Sequence, residues 1–220
     1  PAHHADSVGV NISEVIRAAN TDGEAAVLSP GIGVGGHCTP VYPYFLLNDA
    51  ISKGVPSRLV MDSRWINDQQ PGYLLDLVEE RWGSLVGTNA LILGLAFRPQ
   101  VKESAYSSAF QIKAELVLRG AKVNLDDPMY SAEEIAAAGF QAHQLDASKL
   151  PELVILNTCH DAYRTLDFQD LARRGVQVVL DGRDCWDNAK AAEAGLLYIG
   201  VGQGKNLLEA KSCNTHNHKR

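Results

Sequence analysis

Residues 89–99 read Asn-Ala-Leu-Ile-Leu-Gly-Leu-Ala-Phe-Arg-Pro. The stretch begins with an apolar run that ends at Gly94. A short continuous apolar run of this kind is typical of a strand that is buried on both faces of a parallel sheet. Further apolar runs lie at 122–125, 153–157, 176–180 and 197–199, and helices are predicted between them at 107–119, 131–139 and 167–174. This alternation indicates an α/β fold with a Rossmann-like parallel sheet, whose ligands bind at the carboxyl ends of the strands.

The part of the chain before this sheet, up to about residue 86, is predicted to be helical. One helix is expected over 42–53, closed by Gly54, and a longer one over 56–82. Pro71-Gly72 is expected to kink or interrupt the longer helix. Its apolar stripe would leave exposed surface on a small domain, so we predict that this helical segment mediates a homodimer.

Residues 29–46 form the second distinctive stretch: Ser-Pro-Gly-Ile-Gly-Val-Gly-Gly-His-Cys-Thr-Pro-Val-Tyr-Pro-Tyr-Phe-Leu. Its four glycines allow positive φ angles and a close approach of a ligand to the backbone. Cys38 follows them at the start of a predicted helix, which suggests a loop that holds a substrate against a thiol nucleophile. Gly31-x-Gly33-x-x-Gly36 has the letters of a dinucleotide motif, but no strand precedes it, and we reject that interpretation.

Bulk properties exclude several other classes. The 220 residues carry a formal net charge of −6, which argues against a nucleic-acid partner. The sequence shows neither a membrane-length apolar stretch nor a signal peptide, so a cytoplasmic protein is expected. The four cysteines are widely separated, which is typical of reduced thiols rather than a structural metal site, and no metal is predicted.

Five motifs in this order resemble those of the UDP-glucose/GDP-mannose dehydrogenase family, in the branch that oxidises N-acetylhexosamine nucleotides. The stretch 29–46 is similar to that family's substrate loop, with Thr39 in place of Ile and Tyr42 in place of Asp. The other four motifs are Gly94-Leu-Ala-Phe-Arg-Pro99, Asp126-Asp-Pro128, Asp181-Gly-Arg183 and Tyr198-Ile-Gly-Val-Gly-Gln-Gly204.

The resemblance implies a domain plan. It covers the second half of the family's chain, so the N-terminal NAD-binding domain is expected to be absent here. Residues 1–86 would be part of the helical middle domain, 87–207 the nucleotide-sugar domain, and 208–220 a tail. Any NAD would then be bound by a missing segment or by a separate chain.

The resemblance also implies site residues. Family members oxidise a sugar C6 alcohol to a carboxylate through two hydride transfers to NAD, and Cys38 matches their nucleophile. Substrate-binding positions carried over from the motifs are Gly33, Val34, Gly35, Gly36, Tyr44, Phe97, Arg98 and Arg183. Lys102 stands where the family has an arginine that contacts NAD, although lysine lacks the bidentate fork.

Two function hypotheses follow. The first is the half of an NAD-dependent UDP-sugar 6-dehydrogenase, active in polysaccharide biosynthesis, that binds the nucleotide-sugar and supplies the thiol. The second is a catalytically inactive, dimeric nucleotide-sugar-binding remnant. Tyr42 favours the second for this chain alone, because a tyrosine does not act as a carboxylate base near neutral pH. For Arg98 and Arg183, the alternative to a role in substrate binding is an ordinary surface ion pair.

Overall fold

The computed structural model describes residues 2–204, and the tail predicted at 208–220 lies outside them together with Cys213. The chain divides into two compact units, one made of residues up to Gly31 with those from Gly200 onward, the other of Ile32–Ile199. The predicted domain boundaries near 86 and 207 come from the family resemblance rather than from contacts within the chain, and they stay a prediction.

The first unit begins with helices α1 (Ala2–Val8) and α2 (Ile12–Ala19), followed by a single 3₁₀ turn at Asn20–Asp22. The Asn11 side chain caps α2 by accepting a hydrogen bond from the amide of Ser13. Ala5, Ile12 and Ile16 form its small apolar cluster. The amide of Ile12 also donates to the carbonyl of Gly202, at 2.8 Å.

The second unit contains the remaining elements. Its helices are α3 (Cys38–Ser52), α4 (Arg58–Trp82), α5 (Ser108–Leu118), α6 (Ala132–Ala137), α7 (Asp161–Arg164), α8 (Phe168–Arg173) and α9 (Asn188–Glu193). The strands are β1 (Asn89–Leu93), β2 (Lys122–Asp126), β3 (Gln141–Ala142), β4 (Leu153–Leu156), β5 (Val178–Asp181) and β6 (Leu197–Gly200), the last of which reaches the first unit's boundary.

The six strands form one parallel sheet in the order β3-β2-β1-β4-β5-β6, which confirms the predicted fold class. Every residue of β4 and β5 is buried, as the continuous apolar runs predict. Leu93 is paired with Leu156, and Leu156 with Asp181, so β1, β4 and β5 end at the same edge. The segments that follow these three strands therefore lie side by side.

Helix α4 runs unbroken from Arg58 to Trp82, so Pro71-Gly72 does not interrupt it, and the alternative of a kink there stays a prediction. A proline removes one amide donor, and that loss does not end a helix whose following turns are buried. Leu74, Leu75 and Val78, directly after it, are fully buried. The short elements α1, β3, α7 and α9 were not predicted, because segments of two to seven residues are too short to show a period.

Candidate functional site

The glycine-rich loop, residues 31–37, is held against the carboxyl edge of the sheet by backbone hydrogen bonds. The amide of Ile32 donates to the carbonyl of Gly182, beyond β5, at 2.9 Å. The amide of Gly36 donates to the carbonyl of Ala105, also at 2.9 Å. On the helical side, the amide of Val34 donates to Oδ1 of Asn67 in α4, at 2.9 Å. The loop is thus fixed along its length.

The loop needs glycine mainly because other atoms approach its backbone closely. A Cβ on Gly33 would lie 2.7 Å from Cβ of Ser108, and one on Gly35 would lie 2.7 Å from Cβ of Phe97. Of the loop's glycines, only Gly36 has a positive φ, +90°. Close packing, rather than a positive φ, is therefore the reason for the glycines at 33 and 35.

Cys38 is the first residue of α3, and its free thiol is exposed. The ring of the preceding His37 meets the ring of Tyr106 edge-on at 6.2 Å. Tyr42, one helical turn after Cys38, is 57% exposed and contacts Phe45 at 6.1 Å between ring centroids. The Cys38 thiol is therefore open to solvent at the point where the glycine loop joins α3.

Phe97 and Arg98 lie in the segment that follows β1. The segment is held by Asp127, whose Oδ2 accepts the amides of Leu95 at 2.6 Å and Ala96 at 3.0 Å. The Arg98 guanidinium is exposed and lies over the Phe97 ring, 5.5 Å from its centroid. Among residues 2–204, no carboxylate lies within ion-pair distance of Arg98.

Asp127 is itself buried beside His160, whose Nε2 lies 3.3 Å from its Oδ2. Burial raises the pKa of Asp127, but the close approach of His160 and the hydrogen bonds from the amides of Ala96 and Met129 outweigh it and hold that pKa below its ordinary value. His160 also accepts a hydrogen bond from the amide of Gln100, at 3.1 Å. This pair supports the Phe97–Arg98 segment, and both of its side chains are buried from solvent.

Arg183 follows β5 and presents a cation at the same edge. Its Nε donates to the carbonyl of Asn157, and its Nη2 lies 3.5 Å from Oγ of Ser108. Within the part of the chain that the structure describes, no carboxylate pairs with this guanidinium. Burial lowers the pKa of Arg183, yet an arginine stays protonated in proteins. Asp181 acts on this cation electrostatically without forming an ion pair with it, so the guanidinium keeps hydrogen-bonding capacity for an anion.

Sequence reasoning missed the polar side chains that hold Arg183. Asn157 is fully buried; its Oδ1 accepts from Ser108 Oγ at 2.5 Å, and its Nδ2 donates to the carbonyl of Gly94 at 2.9 Å. Asp181 accepts the amides of Arg183, Cys185 and Trp186 at 2.7–2.9 Å. Asn157 and Asp181 each stand as a polar residue at the end of an apolar run, and that pattern could have identified both in the sequence.

Tyr44 and Val34 line a cavity of 630 Å³ between α3, α4 and the start of α5. Its walls are mainly apolar and aromatic, with Phe45 and Phe110 among them. Arg64 lines it as well, paired with Asp68 at 2.6 Å. The substrate positions thus fall into two neighbouring groups: Phe97 and Arg183 packed around the glycine loop, and Tyr44 on the helical side of that loop.

Lys102 is separate from both groups. Its Nζ pairs with Glu134 of α6 at 2.5 Å and lies 5.3 Å from the centroid of the Tyr130 ring. The segment from β1 to α5, where a dinucleotide fold has its glycine turn, has glycine only at Gly94. The residues described here therefore do not fit an NAD site of that kind, and the role of Lys102 stays a prediction.

Residues 2–204 contain no group of three or more His, Cys, Asp or Glu side chains that could hold a metal ion. None of their helices combines the length and the apolar character that a membrane crossing requires.

Two family profiles match the chain. One, described as the UDP-glucose/GDP-mannose dehydrogenase family central domain, matches residues 2–69; the other, that family's UDP binding domain, matches residues 91–188. The NDP-N-acetyl-D-galactosaminuronic acid dehydrogenase of Ralstonia nicotianae is 30% identical over 189 residues, 85% of this chain and 43% of the relative. The UDP-N-acetyl-D-mannosamine dehydrogenase of Methanocaldococcus jannaschii is 26% identical over 92% of this chain and 46% of the relative.

Among solved structures, a UDP-glucose dehydrogenase from the archaeon Pyrobaculum islandicum matches with a TM-score of 0.77 and 30% identity, over 91% of this chain and 46% of that one. The chain spans about half the length of the curated relatives it matches. With both profiles in chain order and the predicted motifs in place, the chain belongs to the UDP-glucose/GDP-mannose dehydrogenase family.

Proposed function

We propose that this chain supplies the nucleotide-sugar site and the thiol nucleophile of an NAD-dependent nucleotide-sugar 6-dehydrogenase. The observation that carries the proposal is the glycine-rich loop, which joins the exposed Cys38 at one end to the sheet edge that carries Arg183 at the other. The match to a UDP binding domain over residues 91–188 supports the same assignment.

The diphosphate of the ligand is placed at the sheet edge. Arg183 and Arg98 offer two positive charges without carboxylate partners among the described residues, and a diphosphate brings two negative charges. Phe97 packs against Gly35 and Gly36, which fixes the glycine loop beside this edge of the sheet. The sugar then extends along the loop toward Cys38.

Cys38 is assigned the covalent chemistry. Its sulfur would add to the C6 carbonyl carbon of an aldehyde derived from the sugar and give a thiohemiacetal. Loss of a hydride and a proton from that group would give the thioester, which water would cleave to the carboxylate and the free thiol. NAD, the hydride acceptor in this chemistry, is proposed to be bound by groups other than those described, since Lys102 is already paired with Glu134.

The second candidate is an inactive nucleotide-sugar-binding protein. Tyr42 favours it, because this exposed phenol stands where the family has a carboxylate for proton transfer. A UDP-sugar carrying a C6 aldehyde distinguishes the two. The first candidate predicts a covalent adduct on Cys38, detected by mass spectrometry and lost in Cys38→Ser, whereas the second predicts binding without an adduct.

A homodimer is proposed as the assembly. The first half of α4 exposes Leu59 (81%), Trp65 (65%) and Ile66 (49%), although the second half of the helix is buried against the sheet domain. Apolar surface of this extent on one helix is typical of an interface. The cytoplasm, where sugar nucleotides for polysaccharide synthesis are made, is the proposed location.

Calorimetric titration tests the binding proposal. The purified chain is titrated with UDP, UDP-glucose, UDP-N-acetylhexosamines and GDP-mannose, and with NAD as the comparison. We expect saturable binding of UDP and of at least one UDP-sugar, with no binding of NAD by these residues alone. Absence of heat with every nucleotide at millimolar concentration would reject the proposed site.

A further inference from the structure

Two cysteines outside the proposed sugar site lie together at the carboxyl edge of the sheet. Cys159 comes three residues after β4, and Cys185 comes four residues after β5. The last residues of these strands, Leu156 and Asp181, are paired across the sheet. Cys159 belongs to the buried apolar cluster, and Cys185 packs against that cluster. Both are free thiols, and their side chains are hydrogen-bonded to each other.

The surroundings make one sulfur the better nucleophile. The hydrogen bond from Cys185 lowers the pKa of Cys159 more than burial raises it, and the positive charge of Arg164 acts in the same direction. Asp181 and Asp161 oppose the change. The same hydrogen bond raises the pKa of Cys185, which therefore keeps its proton. A cysteine with a lowered pKa beside a second thiol is the arrangement of a reversible redox pair.

Access is available through Cys185. Cys159 is only 3% exposed, but Cys185 is half-buried and borders solvent. The exposed Cys38 lies on α3, and the structure records no second thiol bonded to it among the described residues.

We propose that Cys159 and Cys185 form an oxidisable dithiol, which hydrogen peroxide converts to a disulfide between the segments that follow β4 and β5. The Cys159 thiolate attacks one peroxide oxygen, the O–O bond breaks, and the leaving hydroxide takes up the proton lost by Cys159 and departs as water. The Cys185 sulfur then attacks the sulfenic sulfur, the S–O bond breaks, and the Cys185 proton leaves with the oxygen as a second water. Two electrons pass from the two thiols to the peroxide.

The disulfide would lie beside groups that hold Arg183. Cys185 is two residues from Arg183, and its Sγ lies 3.8 Å from the Arg183 carbonyl oxygen. Asn157, whose carbonyl accepts from Arg183, is two residues from Cys159. The modification therefore joins the two segments between which this guanidinium is held, but the chemistry itself does not depend on nucleotide binding.

Peptide mapping tests the proposal in a Cys38→Ser/Cys213→Ser background, which removes the other two thiols. After treatment with hydrogen peroxide and alkylation of remaining thiols, we expect most molecules to yield one peptide pair linked through Cys159 and Cys185, separable by dithiothreitol. A third substitution, Cys185→Ser, should abolish the linked pair. Recovery of both cysteines as separately alkylated or irreversibly oxidised peptides would overturn the proposal, whatever the outcome of the nucleotide titrations.

Discussion

At the scale of single residues, the glycine loop shows how a missing side chain creates a site. A Cβ on Gly35 would lie 2.7 Å from Cβ of Phe97 and 2.8 Å from the carbonyl oxygen of Tyr106, so the loop cannot dock with a larger residue there. The tight contact places Phe97 directly under the loop. Phe97, a proposed ligand-binding residue, is therefore also a residue against which the glycine loop packs.

Gly35→Ala should lower the free energy of unfolding by about 1–3 kcal/mol, because the added methyl group overpacks a backbone contact. Gly72→Ala in α4 is the matched control: its nearest neighbour is the carboxylate end of Glu115 at 3.3 Å, and alanine favours a helix. Urea unfolding of both variants measures the difference. Equal stability of the two would contradict the described docking of the loop.

The sequence predicts features that depend on neighbouring residues in the chain. It does not predict contacts between residues that are far apart in the sequence. The strands, Cys38 at a helix start and Arg183 after a strand follow from residue order alone. The pairing of Lys102 with Glu134, 32 positions away, does not, because charge pairs depend on how segments are brought together. The same holds for the bonds of Asn157 to Ser108 and Arg183.

At the scale of elements, Asp127 joins the end of β2 to the segment after β1. Its carboxylate accepts amides of Leu95, Ala96 and Met129 while His160 lies beside it. Because this holds the pKa of Asp127 below its ordinary value, the carboxylate contributes stability that is complete above the pKa of an unfolded aspartate, about 3.9. That contribution is lost as the pH falls through the lower pKa of the folded state.

Asp127→Asn should therefore reduce the free energy of unfolding at neutral pH by roughly 1–3 kcal/mol, through lost acceptors for buried amides. The gap between variant and wild type should narrow as the pH falls below about 4, where the wild-type carboxylate also becomes neutral. Chemical unfolding at a series of pH values checks this. A gap that widens on acidification would show that the sign is wrong.

At the scale of the whole molecule, the exposed first half of α4 is the feature on which the proposed homodimer rests. Leu59 and Ile66 lie seven residues apart, on one face of the helix, with Trp65 beside them. Burial of large apolar side chains of this kind typically stabilises association by about 1.5–3 kcal/mol each.

Sedimentation equilibrium at micromolar concentration should give a dimer for the wild-type chain. Leu59→Glu should shift it toward the monomer, because a charge would be buried at the contact. Glu80→Gln, farther along the same helix, serves as a control for general effects of changing charge. A monomeric wild-type chain would contradict the proposed assembly.

The affinity for UDP of the wild-type chain and of Arg183→Ala is the most direct measurement of the central proposal. The Arg173→Ala variant serves as the control, since Arg173 is an exposed arginine on α8 paired with Asp170 at 3.1 Å. Loss of a charge-assisted contact to a phosphate should weaken binding at least tenfold, about 1.4 kcal/mol, in Arg183→Ala. Arg173→Ala should bind as the wild type does, and thermal unfolding should show that both variants are folded. Equal affinity of folded Arg183→Ala and wild type for UDP would contradict the placement of the nucleotide at this edge of the sheet.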